Sequence, residues 1–349
     1  MKIIIVGAGP AGIITGLRLL EKGISPLILE KRAQIESTAC AEGCDAYSLK
    51  KIPFDSSPYI SKVIKGVKFF FPKNSCLSYH IEGVVLERDE WLKEMAKEFV
   101  KRGGKLRTNA RVSAIDEKNV FLSNGEKMEY ERLIGADGPF SIVRKYMGIK
   151  QKIVSGVQYK IKYNTSDMHY LHFYFDKRFS FYYSWIFPKK NVLNVGLAGK
   201  FKQLDNFLDT FGLNKKNILK KEAGAIPISG VPDRIIKRNI ALIGDAASMT
   251  NPLSGGGLSP IIHASSILSN YIYDLKEYER EIKHHPIANP ALLKAKNVLF
   301  NLTNEELTAI GKLFDGKIFG FFTLLKYPFL IPKIWLLRKG VVLAMKWGW

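Results

Sequence analysis

The hydrophobic pattern at the start of the chain predicts a strand, a helix and a second strand. Residues 3–6 form a continuous β-branched run, which is typical of a buried strand in a parallel sheet. Apolar residues at helical spacing follow as far as Leu20, and a second apolar run over 26–29 ends in Glu30. This order is that of a βαβ unit, so we expect an α/β fold with a parallel sheet.

Two middle segments, 51–79 and 151–231, alternate apolar and polar residues as an antiparallel sheet does. The alternation is clearest over 156–161 and 171–175. A further strand over 183–187 carries an aromatic residue at every second position, which places three aromatic side chains on one face. These segments predict a second domain built on a sheet.

The last part of the chain, residues 276–349, has the pattern of a helical region. Residues 290–314 are helical in pattern, and 318–330 are rich in apolar and aromatic residues. After Asp315 there are six basic residues and no acidic one. Such a mixture is typical of an element lying in a membrane interface, and a helical lid packed on the protein explains it equally well. The aromatic and basic residues beyond this run are Lys333, Trp335, Arg338, Lys339, Lys346, Trp347 and Trp349.

Composition narrows the class of protein. A hydrophobic fraction of 46% in 349 residues excludes a disordered chain. The net charge of +21 attracts phosphates in nucleic acids, membranes or substrates, but the basic residues are dispersed and no nucleic-acid recognition motif is present. No apolar stretch reaches the ~18 residues of a membrane span, and no signal peptide is evident. We therefore expect a cytoplasmic protein that binds no nucleic acid and is peripheral on the inner face of the cell membrane.

A glycine-rich turn between the first strand and the first helix predicts a dinucleotide site. Gly7 permits the tight turn, Gly9 lets the backbone approach a pyrophosphate, and Gly12 lets helix and strand pack closely. The pyrophosphate then meets the helix N-terminus, which favours negative charge. Glu30, at the end of the second strand, suits the hydroxyl groups of a ribose.

Two later segments select FAD as the cofactor. The apolar runs over 132–135 and 240–243 each lead into an acidic turn, and a run of glycines, 255–257, opens a further helix. An aspartate at a strand end can accept a hydrogen bond from a ribityl hydroxyl, and the helix N-terminus can face the flavin pyrimidine. The residues predicted here to contact FAD are Asp137, Asp245, Gly256, Gly257 and Leu258.

These segments resemble the glutathione-reductase-type FAD superfamily over about residues 1–275, in the branch that contains para-hydroxybenzoate hydroxylase and geranylgeranyl reductase. In that branch an arginine in the pattern R-x-x-W-L also contacts FAD, and residues 88–92 match it with Arg88. The following strand, 105–112, resembles the one that passes the adenine, with Val112 at the contact. The resemblance implies a Rossmann-type FAD domain, an antiparallel-sheet substrate domain and a helical C-terminal region.

Two further motifs resemble those of the geranylgeranyl reductases. Residues 40–43, Cys-Ala-Glu-Gly, are similar to a C-G-(E/D)-(G/A) loop beside the flavin, with Ala41 in place of the glycine. Residues 183–188 resemble the motif Y-x-W-x-F-P. The resemblance implies Cys40 as a catalytic thiol, with Cys44 four residues on as the alternative. It also implies flavin contacts by Cys40, Ala41 and Gly43, and a prenyl-binding surface of Tyr183, Trp185 and Phe187.

The implied reaction is the reduction of C=C bonds in geranylgeranyl chains of archaeal-type membrane lipids. Reduced flavin supplies a hydride to one alkene carbon, and Cys40 or an ordered water supplies a proton to the other. The substrate is then a prenylated phospholipid, and the electron donor is either NAD(P)H or a ferredoxin-like protein. No spacing of cysteines or histidines predicts a metal site.

Three other functions fit parts of the pattern. A flavin monooxygenase of the same branch would use NAD(P)H and oxygen on a polar aromatic substrate. A quinone-linked electron-transfer flavoprotein at the membrane is also compatible, although three cysteines cannot hold the 4Fe–4S cluster of its larger relatives. A flavin-binding lipid carrier without turnover is the third.

The FAD domain is expected to be discontinuous. It combines residues 1–50, 80–150 and 232–275, whereas 51–79 and 151–231 form the substrate-binding sheet domain. The C-terminal helical region completes the chain.

Overall fold

The computed structural model describes residues 1–314 and 327–345. Its strands in chain order are β1 (Ile3–Val6), β2 (Leu27–Leu29), β3 (Gly43–Asp45), β4 (Ile60–Phe70), β5 (Cys76–Leu86), β6 (Lys105–Arg107), β7 (Val112–Ile115), β8 (Asn119–Leu122), β9 (Lys127–Glu129), β10 (Arg132–Gly135), β11 (Ile153–Lys162), β12 (Tyr170–Tyr174), β13 (Ser184–Lys189), β14 (Val192–Ala198), β15 (Ile218–Pro227), β16 (Ile236–Lys237) and β17 (Ile240–Leu242).

The α-helices lie between and after these strands. In chain order they are α1 (Pro10–Glu21), α2 (Ala46–Leu49), α3 (Arg88–Lys101), α4 (Ile142–Tyr146), α5 (Phe201–Thr210), α6 (Leu258–Asn270), α7 (Leu275–His284), α8 (Pro290–Asn301), α9 (Asn304–Phe314) and α10 (Leu330–Met345).

The first sheet has six strands in the order β16-β17-β10-β1-β2-β6, and the strands from β17 to β6 are parallel. Its central strand β1 is buried at every position, which explains the unbroken apolar run over 3–6. Helices α1, α3 and α6 contribute many of the residues of a large apolar core around this sheet. Since the carboxyl ends of parallel strands meet at one edge, the turns after β1, β2, β10 and β17 come together there.

The second sheet has eight strands in the order β15-β11-β14-β13-β12-β4-β5-β3, all antiparallel to their neighbours except β12 and β4. One of its faces packs against α5. The other face carries Phe173 of β12 with Trp185 and Phe187 of β13, and it packs against α8, α9 and α10. The strand β3 belongs to this sheet, although its residues 43–45 fall within the segment 1–50 that was predicted for the FAD domain.

The predicted α/β class is confirmed, including the helical C-terminal region. In that region α10 packs on α8, and α8 and α9 occupy the stretch 290–314 that the sequence predicts to be helical. Much of the interface stretch 318–330, and Lys346, Trp347 and Trp349, lie outside the described residues. Across residues 1–314 and 327–345, none of the helices combines the length and apolar character needed to span a membrane.

Candidate active site

The three glycines after β1 play different structural parts. Gly7 has a φ of 102°, and a Cβ there would lie 2.5 Å from the carbonyl oxygen of Ala136. A Cβ on Gly12 would overlap the carbonyl oxygen of Gly7, so helix and strand can approach only without a side chain. A Cβ on Gly9 meets no atom of the described residues within 4 Å. The space at the N-terminus of α1 is therefore open at Gly9, as a pyrophosphate site requires.

Glu30 lies at the end of β2 with its carboxylate held by the backbone. It accepts hydrogen bonds from the amide of Ala8 at 2.9 Å and the amide of Arg32 at 2.9 Å. The amide of Ala110 donates to the Glu30 carbonyl at 2.8 Å, which brings the buried start of β7 at Val112 to the same end of the sheet. The structure thus brings together Glu30 and Val112, the two residues predicted to contact the adenosine half of FAD.

The carboxylate of Asp137 is used at a helix terminus. It accepts the Ser141 hydroxyl at 2.6 Å and the amide of Ile142 at 2.7 Å, both at the start of α4. Burial raises the pKa of Asp137, and these hydrogen bonds oppose the rise. Its backbone lies against Gly7, but the side chain caps α4, and a contact with FAD stays a prediction.

Asp245 follows β17 and faces the N-terminus of α6. Its Oδ1 accepts the Thr250 hydroxyl at 3.0 Å, and a Cβ on Gly257 would lie 3.6 Å from the same oxygen. Burial raises the pKa of Asp245, while the cations of Arg88 and Arg144 act in the opposite direction. The acid, the glycine run and Arg88, which are far apart in sequence, are therefore neighbours.

The glycine run begins in a turn that contacts the second sheet. Gly255 has a φ of 70°, and a Cβ there would lie 2.8 Å from the Tyr183 hydroxyl. That hydroxyl donates to the carbonyl of Ser254, and the amide of Gly256 donates to the Ser254 hydroxyl at 3.2 Å. Leu258 is buried and begins α6. Tyr183 thus ties the sheet to the loop predicted to face the flavin.

Cys40 is half-buried between its own loop and the start of α3. Its Sγ accepts the amide of Glu42 at 3.3 Å and Nη1 of Arg88 at 3.3 Å. The Nε of Arg88 is buried without a hydrogen-bond partner among the described residues, so this guanidinium retains donor capacity. Cys44 is fully buried, and burial raises the pKa of its thiol well above its ordinary value. Of the two thiols weighed from the sequence, Cys40 is the accessible one.

The loop conformation explains why Ala41 is tolerated. The left-handed residue of the loop is Glu42, with a φ of 70°, and Ala41 is not among the residues with positive φ. Glu42 directs its carboxylate into the sheet, where it accepts Lys160 Nζ at 2.9 Å, Lys189 Nζ at 2.7 Å and Asn194 Nδ2 at 2.8 Å. The glycine expected at position 41 is therefore not required for the backbone to turn.

Trp185 is connected to the Cys40 loop through Gln158. The Trp185 indole donates to Gln158 Oε1 at 2.9 Å, and Gln158 Nε2 donates to the carbonyl of Cys40 at 3.0 Å. Gln158, Gly196 and Trp185 lie side by side on β11, β14 and β13, so they share one face of the sheet. A Cβ on Gly196 would overlap the Trp185 ring, which lies across this position.

The predicted aromatic surface is present as one buried cluster. Tyr183, Trp185 and Phe187 all belong to it, and Phe173 makes edge contacts with Tyr183 at 5.4 Å and Phe187 at 5.2 Å between ring centroids. A Cβ on Gly43 would lie 3.0 Å from the Phe187 ring, so the Cys40 loop borders the cluster. An apolar, aromatic wall therefore begins beside the thiol.

The residues fit a flavin dinucleotide at two connected places. Gly7, Gly9 and Glu30 form the cradle at the carboxyl edge of the first sheet, and Cys40, Arg88 and Asp245 lie with the 255–257 glycines beside the second. Sequence reasoning missed the polar contacts beneath the loop. Alternation alone assigns Gln158, Lys160 and Asn194 to a solvent face, and no sequence pattern pairs Glu42 with Lys160 and Lys189.

The chain is similar to known proteins over most of its length. The family described as lycopene cyclase protein matches residues 2–322. A digeranylgeranylglycerophospholipid reductase of Methanosarcina acetivorans is 31% identical over 358 residues, covering 88% of this chain and 87% of that protein. A protein of the same name from Methanococcus vannielii is 30% identical, covering 88% of this chain and 89% of its own length.

The fold also has a solved counterpart. A geranylgeranyl bacteriochlorophyll reductase-like protein from Thermoplasma acidophilum superimposes with a TM-score of 0.81 over 98% of both chains, at 24% identity. At that identity the likeness concerns the fold.

Proposed function

The chain belongs to the lycopene cyclase protein family and to the digeranylgeranylglycerophospholipid reductases, and we propose that it saturates C=C bonds in the geranylgeranyl chains of archaeal-type membrane lipids. It is an FAD-dependent oxidoreductase. The observation that carries the proposal is the position of the Cys40 thiol, which contacts Arg88 at the border between the FAD-binding edge and the aromatic wall.

The FAD-binding residues divide into two groups. Gly9 and the N-terminus of α1 receive the pyrophosphate, and Glu30 receives the adenosine ribose. Arg88, Asp245 and the start of α6 hold the ribityl and flavin end. There the buried Nε of Arg88 has no hydrogen-bond partner within residues 1–314 and 327–345, and the helix dipole favours negative charge. When bound and reduced, FAD supplies the hydride.

Cys40 is the residue that we assign to supply the proton. Both contacts of its Sγ use the sulfur as a hydrogen-bond acceptor, so the S–H bond itself is available to donate. An isolated alkene has no carbonyl to polarise, and the proton must therefore be held close to the carbon that receives it. The half-buried position of Cys40 beside an apolar wall suits that task.

The aromatic wall is the proposed path of the prenyl chain. Tyr183, Trp185 and Phe187 are buried under the C-terminal helices, which contribute residues such as Leu299 from α8 and Ile310 from α9 to the same cluster. A surface of this kind excludes water from the reacting carbons and binds a hydrocarbon without fixing its register. Successive double bonds can then reach the same thiol.

The test is an anaerobic reaction of the purified FAD-loaded chain, reduced with dithionite, with geranylgeranyl phospholipid. We expect flavin reoxidation, followed by its absorbance, together with a mass gain of two hydrogens per double bond in the lipid. A phospholipid with saturated phytanyl chains is the control and should leave the flavin reduced. If the flavin reoxidised only with oxygen or a quinone, the proposed reductase function would be wrong, and a monooxygenase or an electron carrier would be the better assignment.

Helix α10 supports peripheral contact with a membrane surface. Four apolar side chains on it or just before it are exposed, namely Phe329 (52%), Ile331 (54%), Trp335 (59%) and Val342 (46%). Arg338 and Lys339 are exposed beside them, and Lys339 Nζ lies 5.3 Å from the Trp335 ring. An amphipathic aromatic–cationic face of this kind inserts at the headgroup level of anionic lipids.

Replacing Ile331, Trp335 and Val342 together with serine is expected to weaken binding to anionic liposomes by about tenfold or more, because apolar area and an interfacial tryptophan are lost. Liposome co-sedimentation measures this, with 30% phosphatidylglycerol vesicles as the probe. Substitution is preferable to truncation since Leu330, Ile334 and Leu337 of α10 pack into the protein.

The matched control replaces three exposed apolar residues of the other domains, Phe140, Leu219 and Tyr273, with serine. This control should bind liposomes as the unchanged chain does. Equal binding by the α10 variant would contradict docking through this helix.

A further inference from the structure

The carboxylate of Glu42 is buried beneath the loop that carries Cys40. Glu42 is 2% exposed and receives hydrogen bonds from Lys160, Lys189 and Asn194, three side chains that β11, β13 and β14 bring together. Although burial lowers it, the pKa of Lys160 is raised overall by the Glu42 carboxylate and by Glu222. A charge removed from water is retained only when it is paired, so these contacts fix where the carboxylate can lie.

Lys189 connects Glu42 to Glu87, the residue before α3. Its Nζ lies 2.7 Å from Glu42 Oε2 and 2.9 Å from Glu87 Oε2. Glu87 immediately precedes Arg88, whose Nη1 contacts Cys40 Sγ at 3.3 Å. One buried ammonium therefore holds both the loop that carries the thiol and the helix start that supplies its guanidinium neighbour.

The backbone of Glu42 needs this support. A φ of 70° is unfavourable for a glutamate, and such a conformation persists only where the surroundings impose it. The same residue donates its amide to Cys40 Sγ at 3.3 Å. If the carboxylate were released, the residue would relax to negative φ and its amide would turn away from the sulfur.

We propose that Glu42 is a positioning residue, which sets the location of the Cys40 thiol through its ion pairs with Lys160 and Lys189. The kinetic part of this proposal rests on the proposed reductase function, whereas the structural part does not. The polar contacts of the carboxylate go to Lys160, Lys189 and Asn194, and its effect on the thiol passes through the loop backbone and Lys189.

The first test uses the full FAD-loaded chain without lipid. In Glu42→Gln, which preserves shape and removes the charge, amide exchange over residues 40–43 and iodoacetamide alkylation of Cys40 should each rise by about tenfold. Lys160→Met should act in the same direction more weakly, since Lys189 and Asn194 still hold Glu42. Alkylation of Cys76, measured by mass spectrometry together with that of Cys40, should stay constant.

Glu279→Gln is the matched control. Glu279 is a half-buried glutamate far along the chain in α7 that accepts the amide of Ile235 and pairs with Lys283 at 3.1 Å. Its loss should leave exchange and alkylation at the Cys40 loop within about twofold of the unchanged chain.

The second test measures lipid reduction by the same variants. Glu42→Gln should lower kcat about tenfold or more and leave KM for the lipid within about twofold, because the thiol moves while the aromatic wall does not. Unchanged amide exchange and Cys40 alkylation in both Glu42→Gln and Lys160→Met would overturn the proposal. If Glu42→Gln does not fold, the result for Lys160→Met alone decides whether the proposal stands. If the unchanged chain reduces no lipid, the reductase function is refuted. Faster amide exchange in Glu42→Gln and Lys160→Met would then still support the positioning role.

Discussion

Gly9→Val is expected to yield a folded protein that has lost FAD. Gly9 has φ −73° and ψ −179°, an extended conformation that valine adopts readily and that a residue before proline prefers. In the part of the chain that the structure describes, no atom lies within 4 Å of such a Cβ, so we expect the fold to be unchanged. The side chain would instead occupy the space that the pyrophosphate needs at the start of α1. We expect FAD affinity to fall by about 100-fold or more, which corresponds to about 2.7 kcal/mol.

The measurements are flavin content by absorbance, FAD titration of the apoprotein and thermal unfolding by circular dichroism. Gly12→Ala provides the contrast, because its Cβ would overlap the carbonyl of Gly7 and should lower both stability and FAD binding. Retention of stoichiometric FAD by Gly9→Val would place the pyrophosphate elsewhere.

Cys40→Ala should retain FAD and lose reductase turnover. Removal of a positioned general acid typically lowers the rate by 10²–10⁴-fold, and we expect kcat to fall by about 100-fold or more. Binding of the lipid should change little because the aromatic wall is intact. The measurement is the single-turnover reoxidation of reduced flavin by geranylgeranyl phospholipid under anaerobic conditions, with lipid mass as the second readout.

Cys76→Ala is the control for loss of a half-buried thiol, and its turnover should stay within about twofold of the unchanged chain. Full turnover by Cys40→Ala would end the assignment of this thiol as the proton source. An ordered water would then take its place, and the effect of Glu42→Gln on kcat would disappear as well.

The prediction of a nucleotide site rests on signals that are local in the sequence. A tight turn without side chains, a helix N-terminus and an acid at a strand end are each determined within about 30 residues of βαβ sequence. The aromatic alternation over 183–187 was equally readable, since the two-residue period of a strand determines which side chains share a face. Asp137 shows the limit, because a strand-end acid can serve either a ligand or the next helix, and here its side chain caps α4.

The sequence by itself determined the α/β class, the glycine turn at Gly7–Gly12 and the aromatic strand, because periodicity and turn chemistry are properties of neighbouring residues. The thiol loop at 40–43 was indicated only by its resemblance to the geranylgeranyl reductases. Only the tertiary structure decided that Glu42 would be buried on two lysines and that Gln158 would link Trp185 to Cys40. In a strand pattern, a lysine or glutamine that alternates with apolar residues predicts a solvent face. That prediction fails here because the loop after β2 lies over this face, and the pairing energy of buried charges depends on contacts between residues more than 100 positions apart.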